Sequence, residues 1–151
     1  MRNTRQIIPL GGLVGTVALA LCIATQLHAQ TKVSAADFTN AANAEVQDAQ
    51  GLVVLSGQFA VADEQDDDDV ERKATLRPTG ADADAAGEAE IEFAKSAPAQ
   101  QEIEFSVRNL APGTSVTFLI DGQIVGQASV DNRGRAELEL DLPVRGAAAS
   151  R

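Results

Sequence analysis

The residues of this 151-residue chain best suited to chemistry are carboxylates, gathered in two places. Asp63-Glu64-Gln65-Asp66-Asp67-Asp68-Asp69 is an almost unbroken acidic run, and Asp82-Ala83-Asp84-Ala85-Ala86-Gly87 follows after a short interval. Calcium takes six to eight hard oxygen ligands, which clustered carboxylates supply. Asp66, Asp67, Asp68, Asp69, Asp82 and Asp84 are therefore the candidate metal ligands, and calcium the one candidate cofactor. Two features of the run oppose this. Consecutive aspartates on an extended chain point alternately to opposite sides, and no glycine lies within 63–69 to turn them onto one ion. The second segment opens like an EF-hand loop, with acids at positions one and three and glycine at six. It then places Ala86 at position five and Phe93 at position twelve, where a bidentate glutamate is needed. The first expectation is thus a solvated, self-repelling loop followed by a turn, with a calcium-responsive module as the alternative.

Paired carboxylates also serve glycoside hydrolysis. Glu90/Glu92, Glu102/Glu104 and Glu137/Glu139 are i,i+2 pairs, so on strands each pair shares a face. A hydrolase needs one of them desolvated in a cleft, usually with aromatic platforms for the sugar. The five phenylalanines (Phe38, Phe59, Phe93, Phe105 and Phe118) fall mostly at alternating strand positions that read as core. The glutamates are expected to be the wetted side of a sheet, discouraging edge-to-edge association.

The rest of the catalytic repertoire is missing. The only histidine is His28, the only cysteine Cys22 and the only methionine Met1, and there is no tryptophan or tyrosine. Beyond residue 28 the chain therefore has no imidazole base, no thiolate, no phenol and no N/S ligand set for zinc or copper. A non-enzyme is expected.

The segments that must position these acids read as strands. Turn signals recur every 8 to 12 residues from Gly51 onward, as in sandwiches and barrels. Expected strands cover Leu52–Val61 (broken at Ser56-Gly57), Arg72–Arg77, Glu88–Ala94, Glu102–Arg108, Thr114–Ile120, Gln123–Val130 and Arg135–Leu142. Asp121-Gly122 is the strongest hairpin signal, and Pro112-Gly113 suits a type II turn. Gly126 within a strand suggests a bulge or a close backbone crossing. Clean alternation, with Ile103, Phe105 and Val107 against Glu104, Ser106 and Arg108, means one wet and one buried face, hence antiparallel pairing. The predicted fold is all-β: a small antiparallel β-sandwich of about seven strands, immunoglobulin-like in general shape. Residues 81–93 (ADADAAGEAEIEF) and 128–140 (ASVDNRGRAELEL) match at an offset of 47, aligning Asp84 with Asp131 and Gly87 with Gly134. The shared element reads as an Asp-x-x-Gly turn opening an alternating strand, with glycine supplying the positive φ.

Upstream, Arg2 and Arg5 precede the uncharged apolar run Leu10–Ala24, and Gln26-Leu27-His28-Ala29 offers a small-residue cleavage site before Gln30. The run is shorter than the ~20 residues of a membrane span. Leu19-Ala20-Leu21-Cys22 departs from a lipobox, because the residue before the cysteine should be small. The expected organisation is a signal peptide at 1–29, a polar linker or short helix at 30–50, a β-sandwich domain at 51–143 and a disordered tail at 144–151. In the second of these, a helix capped by Ser34 and running through Phe38 towards Val46 and a flexible spacer are both compatible with the composition. Without Arg2 and Arg5 the remainder carries 10 basic and 22 acidic residues, a net charge of −12. Such a chain is repelled by nucleic acid and anionic membranes. Its expected place is outside the cytoplasm, periplasmic or extracellular, and its expected partner a protein or surface polymer met through loops or a sheet edge.

The stretch from about Lys73 to Leu142, through ATLRPTGADADAAGEAEIEF and EIEFSVRNLAPGTSVTFLIDGQIVGQASVDNRGRAELEL, resembles a secreted bacterial β-sandwich module. That resemblance implies the fold and brings no catalytic residue. A fainter similarity is to chordin-type domains, which also run a small-residue turn into a strand and then an "NL" turn, here Asn109-Leu110. Those domains carry histidines in the following strand, and this chain has none there. The function expected is that of an exported, non-catalytic binding or structural module.

Overall fold

The computed structural model describes residues 33–61, 68–80, 82–94 and 100–145. Within them lie nine strands and no helix: β1 (Asn43–Gln47), β2 (Val53–Gln58), β3 (Ala60–Val61), β4 (Asp69–Pro78), β5 (Ala86–Ala94), β6 (Gln100–Arg108), β7 (Ser115–Ile120), β8 (Gln123–Ser129) and β9 (Ala136–Pro143). Every ladder between them is antiparallel. The described residues are all-β, as their alternating pattern requires. The expected signal peptide at 1–29, Asp63 to Asp67 of the acidic run, and 146–151 of the expected tail lie outside the described residues.

Two strands more than expected are present, each for a local reason. β1 arises inside the segment read as a linker or short helix. There Ala44 and Val46 point into the core while Asn43, Glu45 and Gln47 do not, a period of two hidden by the small and polar composition. With β2 on one side and β7 on the other, β1 gains two ladders, which outweigh its modest strand propensity. The other addition comes from the Leu52–Val61 run, which breaks at Phe59 and not at Ser56-Gly57. Phe59 N–H turns to donate to the Ala42 carbonyl (2.9 Å), leaving β3 as a separate two-residue piece. The folded unit accordingly begins well before residue 51. It also runs past 143, since Val144 is buried and bridged to Ala36.

The strands form one sheet in the order β8-β7-β1-β2-β4-β5-β6-β9, with β3 beside β4. The sheet folds over on itself at β2 and β4. Leu55↔Pro78, Ser56↔Arg77, Ala60↔Lys73 and Val61↔Arg72 keep one register along β4, while Val53–Gln58 also pairs with β1. At this corner Gly57 is required, because a Cβ there would stand 2.5 Å from the Thr75 carbonyl oxygen. The two halves of the sheet face each other like the layers of a sandwich, and the open edges β8 and β9 come together, nearly closing a barrel.

Both halves supply the core. Phe105 of β6 and Phe118 of β7 are fully buried and meet with ring centroids 4.9 Å apart at 43°. Burying each ring contributes roughly 1.5–3 kcal/mol, and the tilted contact about 0.5–1.5 kcal/mol more. Leu55, Leu76, Ile91, Ile103, Ile120 and Val125 complete the centre. Where the edges approach, Gly126 lets β8 lie close over Leu138 of β9, and Val125 is the extra residue of a bulge opposite Phe118/Leu119.

The turns follow their sequence signals. Asp121 (φ 48) and Gly122 (φ 76) both take positive φ between Ile120 and Gln123, as a type I′ hairpin demands. Gly113 (φ 77) ends the Pro112 turn. The loop 109–114 is stitched to the loop 130–135 by Leu110 N–H to the Gly134 carbonyl (3.0 Å) and Gly113 N–H to the Val130 carbonyl (2.9 Å). The internal repeat is real in shape but shifted in register. Ala89 and Leu138 both pair with Phe105, and the turns Asp82–Ala85 and Asp131–Gly134 each close by a hydrogen bond between their end residues. The structural offset is therefore 49, not 47. Gly134 has the expected positive φ, whereas Gly87 lies within β5, kept small by the neighbouring Ser106 and Val107.

Candidate functional site: a carboxylate face

Of the six candidate calcium ligands, the four that are described do not converge. Asp66 and Asp67 lie outside the described residues. Asp68 is exposed just before β4, and Asp69 begins β4 opposite Ala94. Asp82 and Asp84 occupy the turn at the other end of the β4–β5 hairpin, where Asp82 accepts from Ala85 N–H and the Asp84 carbonyl accepts from Asn109 Nδ2 (2.8 Å). Ten residues of strand separate the two groups, roughly 30 Å. Among the described residues no three His, Cys, Asp or Glu side chains are placed to hold a metal ion.

The glutamate pairs, by contrast, are brought together. Across β4, β5, β6 and β9 the outward positions form three rows: Thr75–Glu88–Ser106–Glu137, Lys73–Glu90–Glu104–Glu139 and Glu71–Glu92–Glu102–Asp141. Neighbours stand about 4.8 Å apart across the strands and about 7 Å along them. Nine carboxylates thus share one open face with a single ammonium, that of Lys73. Like charges lie directly opposite one another at Glu71/Glu92, Glu90/Glu104, Glu104/Glu139, Glu92/Glu102 and Glu102/Asp141, an arrangement that destabilises a sheet. Towards the turn end the field stops at exposed arginines: Arg108 opposite Ala86, Arg77 two residues beyond Thr75, and Arg135 just before β9.

The crowding alters individual acids. Lys73 Nζ contacts Glu71 and reaches Glu90 at 3.5 Å. Partial burial pushes Glu90 up to about 7, and a hydrogen bond with Glu71 and that residue's charge add to the effect while Lys73 opposes it. The same hydrogen bond, with help from Lys73, holds Glu71 below the usual carboxylate range. The two therefore titrate as a pair, with the proton resting on Glu90. Glu102 is also raised, first by desolvation and then by Asp141, Glu139, Glu92 and Glu104.

Two polar side chains that sequence reasoning passed over point the other way, into the fold. Gln101 is 1% exposed: its Oε1 accepts from Phe38 N–H (3.1 Å) and its Nε2 donates to the Ala36 carbonyl (2.8 Å). Arg72 donates through its guanidinium to the carbonyls of Ala41 (3.0 Å) and Thr39 (3.4 Å). Parity was the available signal. Gln101 shares the inward register of Ile103 and Phe105, and Arg72 that of Ala74 and Leu76. No family model, no curated protein and no solved structure matches this chain.

Proposed function

We propose that this chain is an exported, non-catalytic interaction module whose carboxylate face receives a cationic partner, a basic protein segment or a positively charged surface polymer. The observation that carries the reading is the three-row array on β4, β5, β6 and β9: nine carboxylates spread over an open sheet face around one ammonium. Such an array projects a strong, broad negative potential, which steers and orients a cationic partner. It supports binding better than hydrolysis, because seven of the nine acids are exposed and only Glu71 and Glu90 are half-buried. The lack of histidine and cysteine after residue 28 supports the same conclusion.

The test places the binding on this face and not on net charge. Glu92→Gln, Glu102→Gln and Asp141→Asn together neutralise three of the four acids of one row. Glu45→Gln, Asp68→Asn and Asp84→Asn remove the same charge elsewhere. With polylysine as the probe at fixed ionic strength, the first triple is expected to weaken binding at least ten-fold more than the second. Equal losses would overturn the reading.

A further inference from the structure

The segment Val33–Ala42 is not part of any strand, yet Val33, Ala36, Phe38 and Ala41 are all buried. It is held mainly by side chains that grip its main chain. Gln101 takes Phe38 N–H and the Ala36 carbonyl, and Arg72 takes the carbonyls of Thr39 and Ala41. Asp37 fixes the turn locally by accepting from Thr39 N–H (3.1 Å) and from Thr39 Oγ1 (2.6 Å), and Ala41 N–H closes it on the Phe38 carbonyl (3.0 Å). The Ala36 carbonyl has a second donor, Arg145 N–H at 3.0 Å, beside the parallel bridge between Ala36 and Val144. One carbonyl thus joins the start of the described chain, its end and the buried amide of β6.

We infer that residues 33–41 form a clasp, a unit that opens and closes separately from the sheet and locks the C-terminal end when it closes, with Gln101 as its keeper. A segment fastened by a handful of hydrogen bonds and four apolar side chains opens at lower free energy than ladders paired on both sides. When it leaves, the Ala36 carbonyl leaves with it. Arg145 N–H then loses its acceptor, and Val144 its neighbour. Residues 33–41 and the segment Val144–Arg145 are therefore released or held together. Gln101 sets the balance because both of its side-chain hydrogen bonds go to this segment, at Phe38 and Ala36, and both must break when it opens. Gln101 acts here as a positioning residue.

Amide hydrogen exchange on the purified protein tests this. Phe38, Ala41 and Arg145 amides are expected to exchange at one common rate, faster than the amides of Ala89 and Ile103 inside the β5–β6 ladders. Gln101→Leu removes the polar grip and keeps the volume. It is expected to speed Ala41 and Arg145 at least ten-fold and leave the ladder amides unchanged, although Gln101 touches neither of those two amides. Asp37→Ala, an exposed change that loosens the turn from outside, is expected to move the same two amides in the same direction and covers the case in which Gln101→Leu does not fold. The proposal is overturned if Arg145 keeps its rate while Ala41 speeds up, since the ends are then uncoupled. It is equally overturned if the ladder amides accelerate in step, since the segment is then no separate unit.

Discussion

Glu90 of β5 and Glu104 of β6 stand directly opposite each other on the outward face of the sheet, with Lys73 on the far side of Glu90 and Glu139 on the far side of Glu104. Three of the four groups in that row are acids. The sheet tolerates this because its inward face buries Ile91, Ile103 and Phe105 completely, and the apolar gain exceeds the repulsion.

A pH dependence of unusual sign follows from Glu90. Its folded pKa of about 7 lies above the ordinary 4.5, so between those values the folded state binds more protons than the unfolded one. Its contribution is fully present below 4.5 and is lost as pH rises through 7. Glu102, also raised, acts in the same direction. Glu71, held low, works oppositely: its contribution is present above 4.5 and is lost as pH falls below that value. Stability is expected to rise between pH 8 and pH 5. After discounting for the solvent that reaches Glu90, the gain is on the order of 1 kcal/mol. Urea unfolding at successive pH values measures it, with Glu90→Gln flattening the slope. A decline in stability from pH 7 to 5 would contradict the assignment.

Reversing the charge at the centre of the row should help. Glu104→Lys sets a cation between Glu90 and Glu139 and is expected to stabilise the protein by roughly 0.2–1 kcal/mol at neutral pH. It should also shrink the pH slope, because a neighbouring cation favours the Glu90 carboxylate. Thermal melts at pH 7.5 and pH 5 show both effects. A lower midpoint at pH 7.5 would mean that the repulsion inferred from the register is absent.

Close packing predicts a different outcome at Gly87. A Cβ there would lie 2.7 Å from both the Ser106 carbonyl oxygen and Val107 Cγ1, and the carbonyl cannot move without disturbing the β5–β6 ladder. Gly87→Ala is expected to destabilise by about 1–3 kcal/mol. Gly80→Ala, with nothing within 4 Å of the added carbon, is expected to be neutral or slightly stabilising. Equal denaturation midpoints for the two variants would refute the argument.

The hairpin aspartate does more than turn the chain. Asp121 carboxylate oxygens accept from Ala42 N–H (3.1 Å) and Asn43 N–H (2.8 Å), fastening the β7–β8 turn to the start of β1, while its own φ of 48° suits aspartate better than alanine. Asp121→Ala is expected to cost about 2 kcal/mol. Asp121→Asn, which keeps an acceptor oxygen and tolerates the backbone, should cost less than half of that. Chemical denaturation distinguishes them, and identical losses would show that the side-chain bonds are not what matters.

The alternation of EIEFSVR and AELEL made β6 and β9 legible in the sequence, because one-sided burial writes itself as a period of two. The Asp121-Gly122 turn was equally plain, since few residue pairs accept two positive φ values in succession. β1 escaped because Ala44 is small and Val46 is alone, so the hydrophobic period is too weak to be told from a linker. The carboxylate face was half visible: each i,i+2 pair announced a wet strand face, but only the register of β4, β5, β6 and β9 makes three strips into one field. The described members of the calcium grouping lie apart for the complementary reason. Asp69 and Asp82 are close in sequence, yet the hairpin between them carries them to opposite ends. Local similarity likewise misaligned the repeat by two residues, a shift that alternation cannot detect because it leaves every side chain on its own face.

The bridge between Ala36 and Val144 runs parallel, the one such pairing among the described residues outside the antiparallel ladders. At that point the chain enters and leaves heading the same way, so pulling its two termini apart drags the segments past each other lengthwise. Hydrogen bonds loaded in this manner must rupture together, whereas those at the end of a hairpin unzip singly. A protein stretched between anchors on either side of the described segment would thus load the Ala36, Gln101 and Arg145 junction in shear.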